Sequence, residues 1–449
     1  MKAPTMSSLA AILTSSFPFA ILPNVTTAWA TSVPVPPSQD PFYTAPTHLE
    51  KYVPGTVLRV REAPGNFSLA IPNCSAAYHV LHRTTDTRYR PSWAVTTLLL
   101  PTVPYSSSSS DDDDDDKGSP LLSYQIPYNS PDIDASPSFD NAAMAVPGGP
   151  VASALGRGWL VVVPDFEGPT ASFGAGVQAG HATLDSVRAV LSLARDDTDM
   201  DDKKRMIKNK IGSISRYAMW GYSGGSVATE FAAELAVQYA PELAFAGAVL
   251  GGVVPRLTPS ELEGINRSPY VGDVVAILVG ATNQYPDAYS HLIANLKTEG
   301  PRNRTGFLAV EGMTILEAFA YYAGQDVWEY FVDGKGVVEA RVVKKVFWDN
   351  GMMGYHGVPQ MPLFVYQAVG DRFSPIAHTD ELVERFCGVG ARIVYQRNEV
   401  GGHIAEITNG APRALGWLVG VLEGAETIDM SLGCDTQTVA VNITDVADF

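Results

Sequence analysis

The feature that most constrains this chain is Gly221-Tyr222-Ser223-Gly224-Gly225, set between the strand-like run 217–220 and the alanine-rich stretch SVATEFAAELAVQYA. A Gly-x-Ser-x-Gly sequence that leaves a strand and enters a helix makes a tight turn, with the serine strained and its hydroxyl presented at the apex. Glycine is needed two residues to either side because a Cβ there would strike neighbouring backbone. The helix that begins beyond the serine favours developing negative charge at its N-terminus. The bare pentapeptide is common by chance; the strand before it and the helix after it are what the turn requires. Ser223 is therefore the candidate nucleophile.

A turn of this kind needs a sheet to stand on, and the chain supplies one. Strand-like apolar runs cover 94–100, 121–127, 159–163, 248–254, 362–368 and 391–397, the last read as the final strand. Continuous apolar runs such as WLVVV suit strands buried on both faces. Residues 182–194 have helical periodicity, and 412–422 read as the closing helix. This alternation predicts an α/β fold with a mainly parallel sheet flanked by helices, in three layers. Together with the serine turn it predicts the α/β-hydrolase architecture.

Residues 258–356 break the rhythm. They are helix-rich, carry an aromatic cluster between Phe319 and Phe331, and read as an inserted helical cap or lid over the core formed by 31–257 and 357–449. Within 310–324, Met313, Ile315, Leu316, Phe319 and Tyr322 fall close to one helical face. The plain reading of most of these aromatics is the insertion's own core. Residues 31–55 read as an extended arm, and the poly-Ser/Asp run 106–120 as a solvated loop without function.

The partners of Ser223 follow by elimination, since in this fold the acid and then the histidine come after the serine. Four histidines lie beyond it: His291, His356, His378 and His403. His291 lies within the insertion, His356 precedes the strand that should deliver the acid, and His378 falls on the helix after it. His403 stands in a glycine-rich loop after the run 391–397, where the general base is expected. Asp371 follows the run 362–368 and is the expected acid. Glu399 lies on the histidine's own loop and Asp380 well into a helix, so both are poorer candidates. A short carboxylate fixes the imidazole tautomer and stabilises the imidazolium.

Composition narrows the setting. Of 449 residues, 46% are hydrophobic and 18% charged, ordinary for a globular enzyme with a large core. The net charge is −17, with Asp111 to Asp116 supplying six negative charges, which disfavours nucleic acid and anionic substrates but not neutral ones. Residues 1–30 read as a signal peptide: Lys2, an apolar stretch broken by Pro18 and Pro23, then Ala28-Trp29-Ala30 before a mature start at Thr31. The expected compartment is extracellular. Asn66, Asn73, Asn303 and Asn442 are candidate glycosylation sites, with Asn266 a weaker one ahead of Pro269. Of Cys74, Cys387 and Cys434, one pair is expected, with the two C-terminal cysteines favoured. No metal-ligand spacing is present. No cofactor is expected, and the chain reads as a monomer.

The chain resembles the fungal secretory lipases of the lipase A type. The resemblance rests on VVVPDFEGPTASFGAG (161–176), GHATLDSVRAV (180–190), GYSGGSVAT (221–229), QYAPEL (238–243) and the spacing of Asp371 and His403, and runs from about residue 77 to the last helix. It implies a triad of Ser223, Asp371 and His403, an oxyanion hole from the backbone N–H groups of Asp165 and Gly224, a cap over the acyl site, and a Cys387–Cys434 disulfide. Read without the serine turn, Asp165 and Glu167 would suggest a paired-carboxylate site instead. The poly-Asp loop and the short tail after Cys434 depart from the pattern. The expected reaction is hydrolysis of a neutral acyl ester through an acyl-enzyme, with a small-molecule or lipid ester as substrate and transient contact with a lipid interface. Lipase or carboxylesterase is the broader expectation, because the insertion is long and apolar. A deacetylase of fungal secondary metabolites such as trichothecenes is the alternative. A serine peptidase would need a pocket for a charged terminus, and none is identifiable; a non-catalytic binding protein on the same fold is the reading of another class.

Overall fold

The strands form where apolar and β-branched residues cluster: β1 Val57–Glu62, β2 Cys74–Thr85, β3 Pro91–Pro101, β4 Ser119–Gln125, β5 Leu160–Pro164, β6 Ile214–Tyr222, β7 Gly247–Gly251, β8 Leu363–Ala368, β9 Ile393–Asn398 and β10 Cys434–Val439. They make one sheet in the order β1-β2-β3-β5-β4-β6-β7-β8-β9-β10. Pairing is antiparallel from β1 to β5 along this order and parallel from β5 to β10. This computed structural model describes residues 33–106, 118–195, 201–424 and 433–443. The signal-peptide reading of 1–30 and most of the Ser/Asp run lie outside the described residues.

The pleat sorts side chains into two cores. In β5, Leu160 and Val162 join one apolar cluster while Val161 and Val163 join the other. In β7, Ala248 and Leu250 likewise oppose Val249. The helices Gly176–Ala194, Gly224–Tyr239 and Ile376–Gly388 cover the first face, and Pro150–Gly156 and His403–Glu423 cover the second. The three layers follow directly from strands that are apolar on both sides. Of the described helices, none is long and apolar enough to cross a membrane.

Between β7 and β8 the chain runs through the helices Pro259–Ile265, Gly272–Thr282, Pro286–Ala294, Arg304–Leu308, Ile315–Tyr322 and Arg341–Asn350. Every residue of Gly272–Thr282 is buried. It lies so close to the core that a Cβ on Gly280 would stand 2.6 Å from Phe173 backbone. Tyr322, Tyr330 and Phe331 pack around Phe307 as an aromatic core of this segment.

Four local expectations change. β1 and β2 were not evident in the sequence, where arginines and histidines interrupt their apolar pattern. The run 391–397 is not the last strand: the polar β10 pairs in parallel beyond it. The last helix begins at His403, not near residue 412, and carries Pro412 inside it. In the insertion, a capping box at Thr314 starts the helix at Ile315, so Met313 lies outside it, and Leu316 is 68% exposed while Ala318 and Tyr322 are buried. Among the candidate glycosylation sites, Asn66, Asn73 and Asn442 are exposed and Asn303 is partly buried, capping a helix turn. Asn266 is buried against Asp326.

Cys387 and Cys434 are bridged, and Cys74 is a buried free thiol whose titration burial pushes up to about 11. The bridge ties the helix Ile376–Gly388 to the first residue of β10. β10 has little apolar surface of its own, with burial at its two ends only, so its pairing with β9 and the crosslink hold it. Closing a loop of 47 residues restrains the unfolded chain by at most about 4 kcal/mol. Replacing both cysteines with serine should lower stability by about 2–4 kcal/mol and expose β10 to proteolysis first. An unchanged melting temperature and cleavage pattern would refute this.

Candidate active site

Ser223 closes β6 and caps the helix Gly224–Tyr239 with φ 53° and ψ −122°, a conformation that a residue with a side chain adopts only under constraint. The constraint is visible in the glycines. A Cβ on Gly221 would stand 2.1 Å from Gly225 O, and one on Gly225 would stand 2.0 Å from Gln125 O. Ser223 N–H donates to Gly251 O at 3.0 Å, tying the turn to β7. The hydroxyl is thus fixed above the C-terminal edge of the parallel strands.

His403 and Asp371 reach the same edge from β9 and β8. His403 Nε2 lies 2.8 Å from Ser223 Oγ, and its Nδ1 lies 2.7 Å from Asp371 Oδ2. Asp371 Oδ1 accepts the N–H groups of Phe373 and Ser374, each at 2.9 Å, and Oδ2 accepts Gln367 Nε2 at 3.2 Å. With Asp371 an acceptor, Nδ1 carries the proton and Nε2 is free to accept from the serine hydroxyl. Phe373 stacks on the imidazole at 4.8 Å, and Tyr222 Oη donates to His403 O at 2.6 Å, so the base is held by ring and backbone alike. His403 is the first residue of its helix, not a loop residue; Gly401-Gly402 supply the sharp entry.

The two expected oxyanion donors stand in different surroundings. Gly224 adjoins Ser223 and, as the first residue of its helix, has an N–H without an intrahelical acceptor. Asp165 does not serve. Its N–H donates to Val95 O at 2.9 Å, extending the β3–β5 pairing by one residue, and its carboxyl accepts Ser138 N–H at 3.0 Å. The neighbour found instead is Asn129, in the loop after β4, with φ 48° and Oδ1 2.0 Å from where a Cβ on Gly224 would stand. The sequence held a weak signal for it, an asparagine just past a strand, the type that tolerates the left-handed conformation. That β4 lies beside β6 was not readable.

Two cavities meet at this site. One, of about 30 Å³, is lined by Ser223, Gly224, Asn129, Asp273 and apolar residues that include Phe173 and Ile277. The other, of about 680 Å³, is lined by His403, Tyr270, Arg372, Phe373 and Ile404. Phe373 borders both. Neither Asp165 nor Glu167 lines either one, so they form no acid/base pair at Ser223. Burial pushes Asp165 up to about 7 and Glu167 well above the carboxylate range, keeping Glu167 neutral. Among the described residues no cluster of three His, Cys, Asp or Glu side chains could hold a metal ion.

If Asp371 fixes the histidine tautomer, Asp371→Asn should lower kcat by about 10⁴ while leaving the fold intact. Wild-type kcat in this variant would remove Asp371 from that role.

With this geometry in view, the comparisons are consistent among themselves. The family model "Secretory lipase" matches residues 144–430. The trichothecene C-3 esterase of Fusarium sporotrichioides is 45% identical, the match covering 92% of this chain and 90% of that one. Lipase A of Arthroderma benhamiae is 34% identical, over 92% of this chain and 85% of that one. The crystal structure of Candida antarctica lipase A superposes with a TM-score of 0.75 at 25% identity, covering 92% of each chain. This chain belongs to the secretory lipase family and is a carboxylic ester hydrolase of the α/β-hydrolase fold.

Proposed function

We propose that the enzyme removes short acyl groups, acetyl above all, from a bulky neutral alcohol through a Ser223 acyl-enzyme. Ser223 Oγ attacks the ester carbonyl as His403 Nε2 takes its proton. Asp371 stabilises the imidazolium that results. Gly224 N–H and the Asn129 Nδ2–H that Asp273 does not take face the oxyanion. His403 returns the proton to the departing alcohol oxygen, and then activates the water that releases the acid.

The observation that carries the acyl preference is the inequality of the two cavities. The alcohol must leave on the side of His403, which protonates it, and that side opens into about 680 Å³. The acyl group sits on the side of Gly224 and Asn129, where the cavity is about 30 Å³. A single water needs about 10–15 Å³ on this measure, so the acyl side accommodates a group of about two heavy atoms. The helices of 258–356 form the roof: Leu262, Ile265, Asp273 and Ile277 all line the smaller cavity, which supports reading this segment as a cap. Similarity to a trichothecene C-3 esterase supports the same substrate class, an acylated polycyclic alcohol, with Tyr270 and Phe373 offering ring surface to it.

All the residues invoked come from one chain, so a monomer suffices. Ile404, 40% exposed at the rim of the larger cavity, supports brief contact with a lipid surface. The segment 1–30 and the family together support secretion with a mature start at Thr31.

Two measurements test this. Ser223→Ala should lower kcat by about 10⁶ and abolish fluorophosphonate labelling, with the protein still folded. Across p-nitrophenyl esters from acetyl to palmitoyl, kcat/KM should be highest at acetyl and fall at least about tenfold by octanoyl, since overpacking a rigid site costs 1–3 kcal/mol or more. A rise through medium chain lengths, at about 0.8 kcal/mol per methylene, would instead establish an acyl channel and a lipase.

A further inference from the structure

The loop after β4 stands beside the nucleophile, and it is held from two directions. From the core, Glu167 N–H donates to Tyr128 Oη at 2.7 Å. From the inserted segment, Met313 O accepts Ser130 Oγ–H at 2.7 Å, and Asp273 Oδ1 accepts Asn129 Nδ2–H at 3.4 Å. Asn129, between these anchors, has a left-handed backbone, which asparagine tolerates. Its Oδ1 is buried without a hydrogen-bond partner among the described residues, against Gly224.

Asp273 lies in the first turn of Gly272–Thr282, a helix buried along its whole length, so its carboxyl cannot swing out to water. Around it the smaller cavity is lined by Phe173, Val227 and Ile277, where an apolar side chain would pack without the cost of burying a carboxyl. A polar group kept in such a place is accounted for by what it touches, and the side chain that Asp273 touches is Asn129.

We propose that Asp273 is a positioning residue: by accepting one Nδ2–H of Asn129 it aims the other at the oxyanion position beside Gly224, so that the inserted segment completes the oxyanion-binding side of the Ser223 site. This rests on the reading of Ser223 as nucleophile. The segment is then more than a roof: its docked position sets the geometry in which charge is stabilised.

The charge state of Asp273 gives the inference a signature. The titratable and charged groups near it are Glu167, His403, Arg256 and Glu261, with Asn129 its hydrogen-bond donor. Burial pushes its carboxyl up to about 7, with the Asn129 hydrogen bond and the His403 charge acting in the opposite direction. Neutral Asp273 leaves the site free of negative charge. Ionised Asp273 sets a carboxylate near the developing oxyanion, and the two repel. Activity should therefore be full below about 7 at this group and fall as pH rises through it.

The test compares Asp273→Asn and Asp273→Leu in the secreted enzyme on p-nitrophenyl acetate, with kcat and KM measured from about pH 5 to about pH 9. Asp273→Leu should lower kcat about 10- to 100-fold with KM within about threefold, less than the 10²–10³ lost with a whole oxyanion donor. Asp273→Asn should keep kcat within about threefold near neutrality, because a carboxamide still accepts from Asn129, and should lack the alkaline fall. Wild-type kcat in the leucine variant, an equal loss in both variants, or an alkaline fall that persists in Asp273→Asn would each overturn the proposal. Should the leucine variant fail to fold, the pH profile of Asp273→Asn decides alone. Fluorophosphonate labelling of the wild type comes first: labelling at a serine other than Ser223 would overturn the nucleophile assignment, a failure distinct from this one.

Discussion

The contact between β4 and the turn at Ser223 sets the limits within which the rest of the site is built. Gly225 approaches Gln125 O so closely that no side chain fits between them, and Gly221 approaches Gly225 in the same way. This forces the helix Gly224–Tyr239 to start directly over the sheet edge and leaves Ser223 in a backbone conformation it would not choose alone. The cost is small beside the burial of strands that are apolar on both faces. Because β4 is the strand that touches the turn, the loop that follows β4 necessarily lies beside the nucleophile. Asn129 owes its place to that packing.

Around this turn the protein gathers carboxyls and treats them differently. Asp371 accepts two N–H groups and an amide besides the imidazole, so its negative charge is well solvated by protein. Glu167 and Asp273 are buried with few donors, and burial drives both upward. Asp371 is placed to pair with an imidazolium, while burial favours the uncharged forms of Glu167 and Asp273. The division of labour is made by hydrogen-bond donors, not by residue type.

The two cavities at the site differ greatly in size. The fold is shared with a lipase of known structure, and in this chain the space beside Ser223 and Gly224 is about 30 Å³. Its roof is built from the insertion, by Leu262, Ile265, Asp273 and Ile277. The catalytic edge and the roof are thus separable in chemistry. Strand ends supply the reacting groups, and the inserted helices set what can reach them.

Much of this was legible in the chain, because period and local turn chemistry are local properties. The strands buried on both faces announce themselves as apolar runs, and Gly-x-Ser-x-Gly specifies its turn through clashes among a few neighbouring residues. The order of serine, acid and histidine then singled out Asp371 and His403, which the fold brings to hydrogen-bonding distance of each other and of Ser223. What stayed hidden was whatever depends on which elements become neighbours. The N–H of Asp165 is taken by Val95 because β5 pairs with β3, and Asn129 lies beside Gly224 because β4 lies against β6. β10 is too polar to be read as a strand and exists through its pairing with β9 and its disulfide. Leu316 faces solvent although its helical face looked apolar, because only packing decides which side of a short helix meets a core. The fold class, and the choice of Ser223, Asp371 and His403 as candidates, could be read from the sequence alone, since each rests on contacts within a short stretch or on chain order. The contact of Asn129 with Gly224, the size of the cavity beside Ser223 and the position of Asp273 depend on tertiary structure, since each is a contact between segments far apart in the chain.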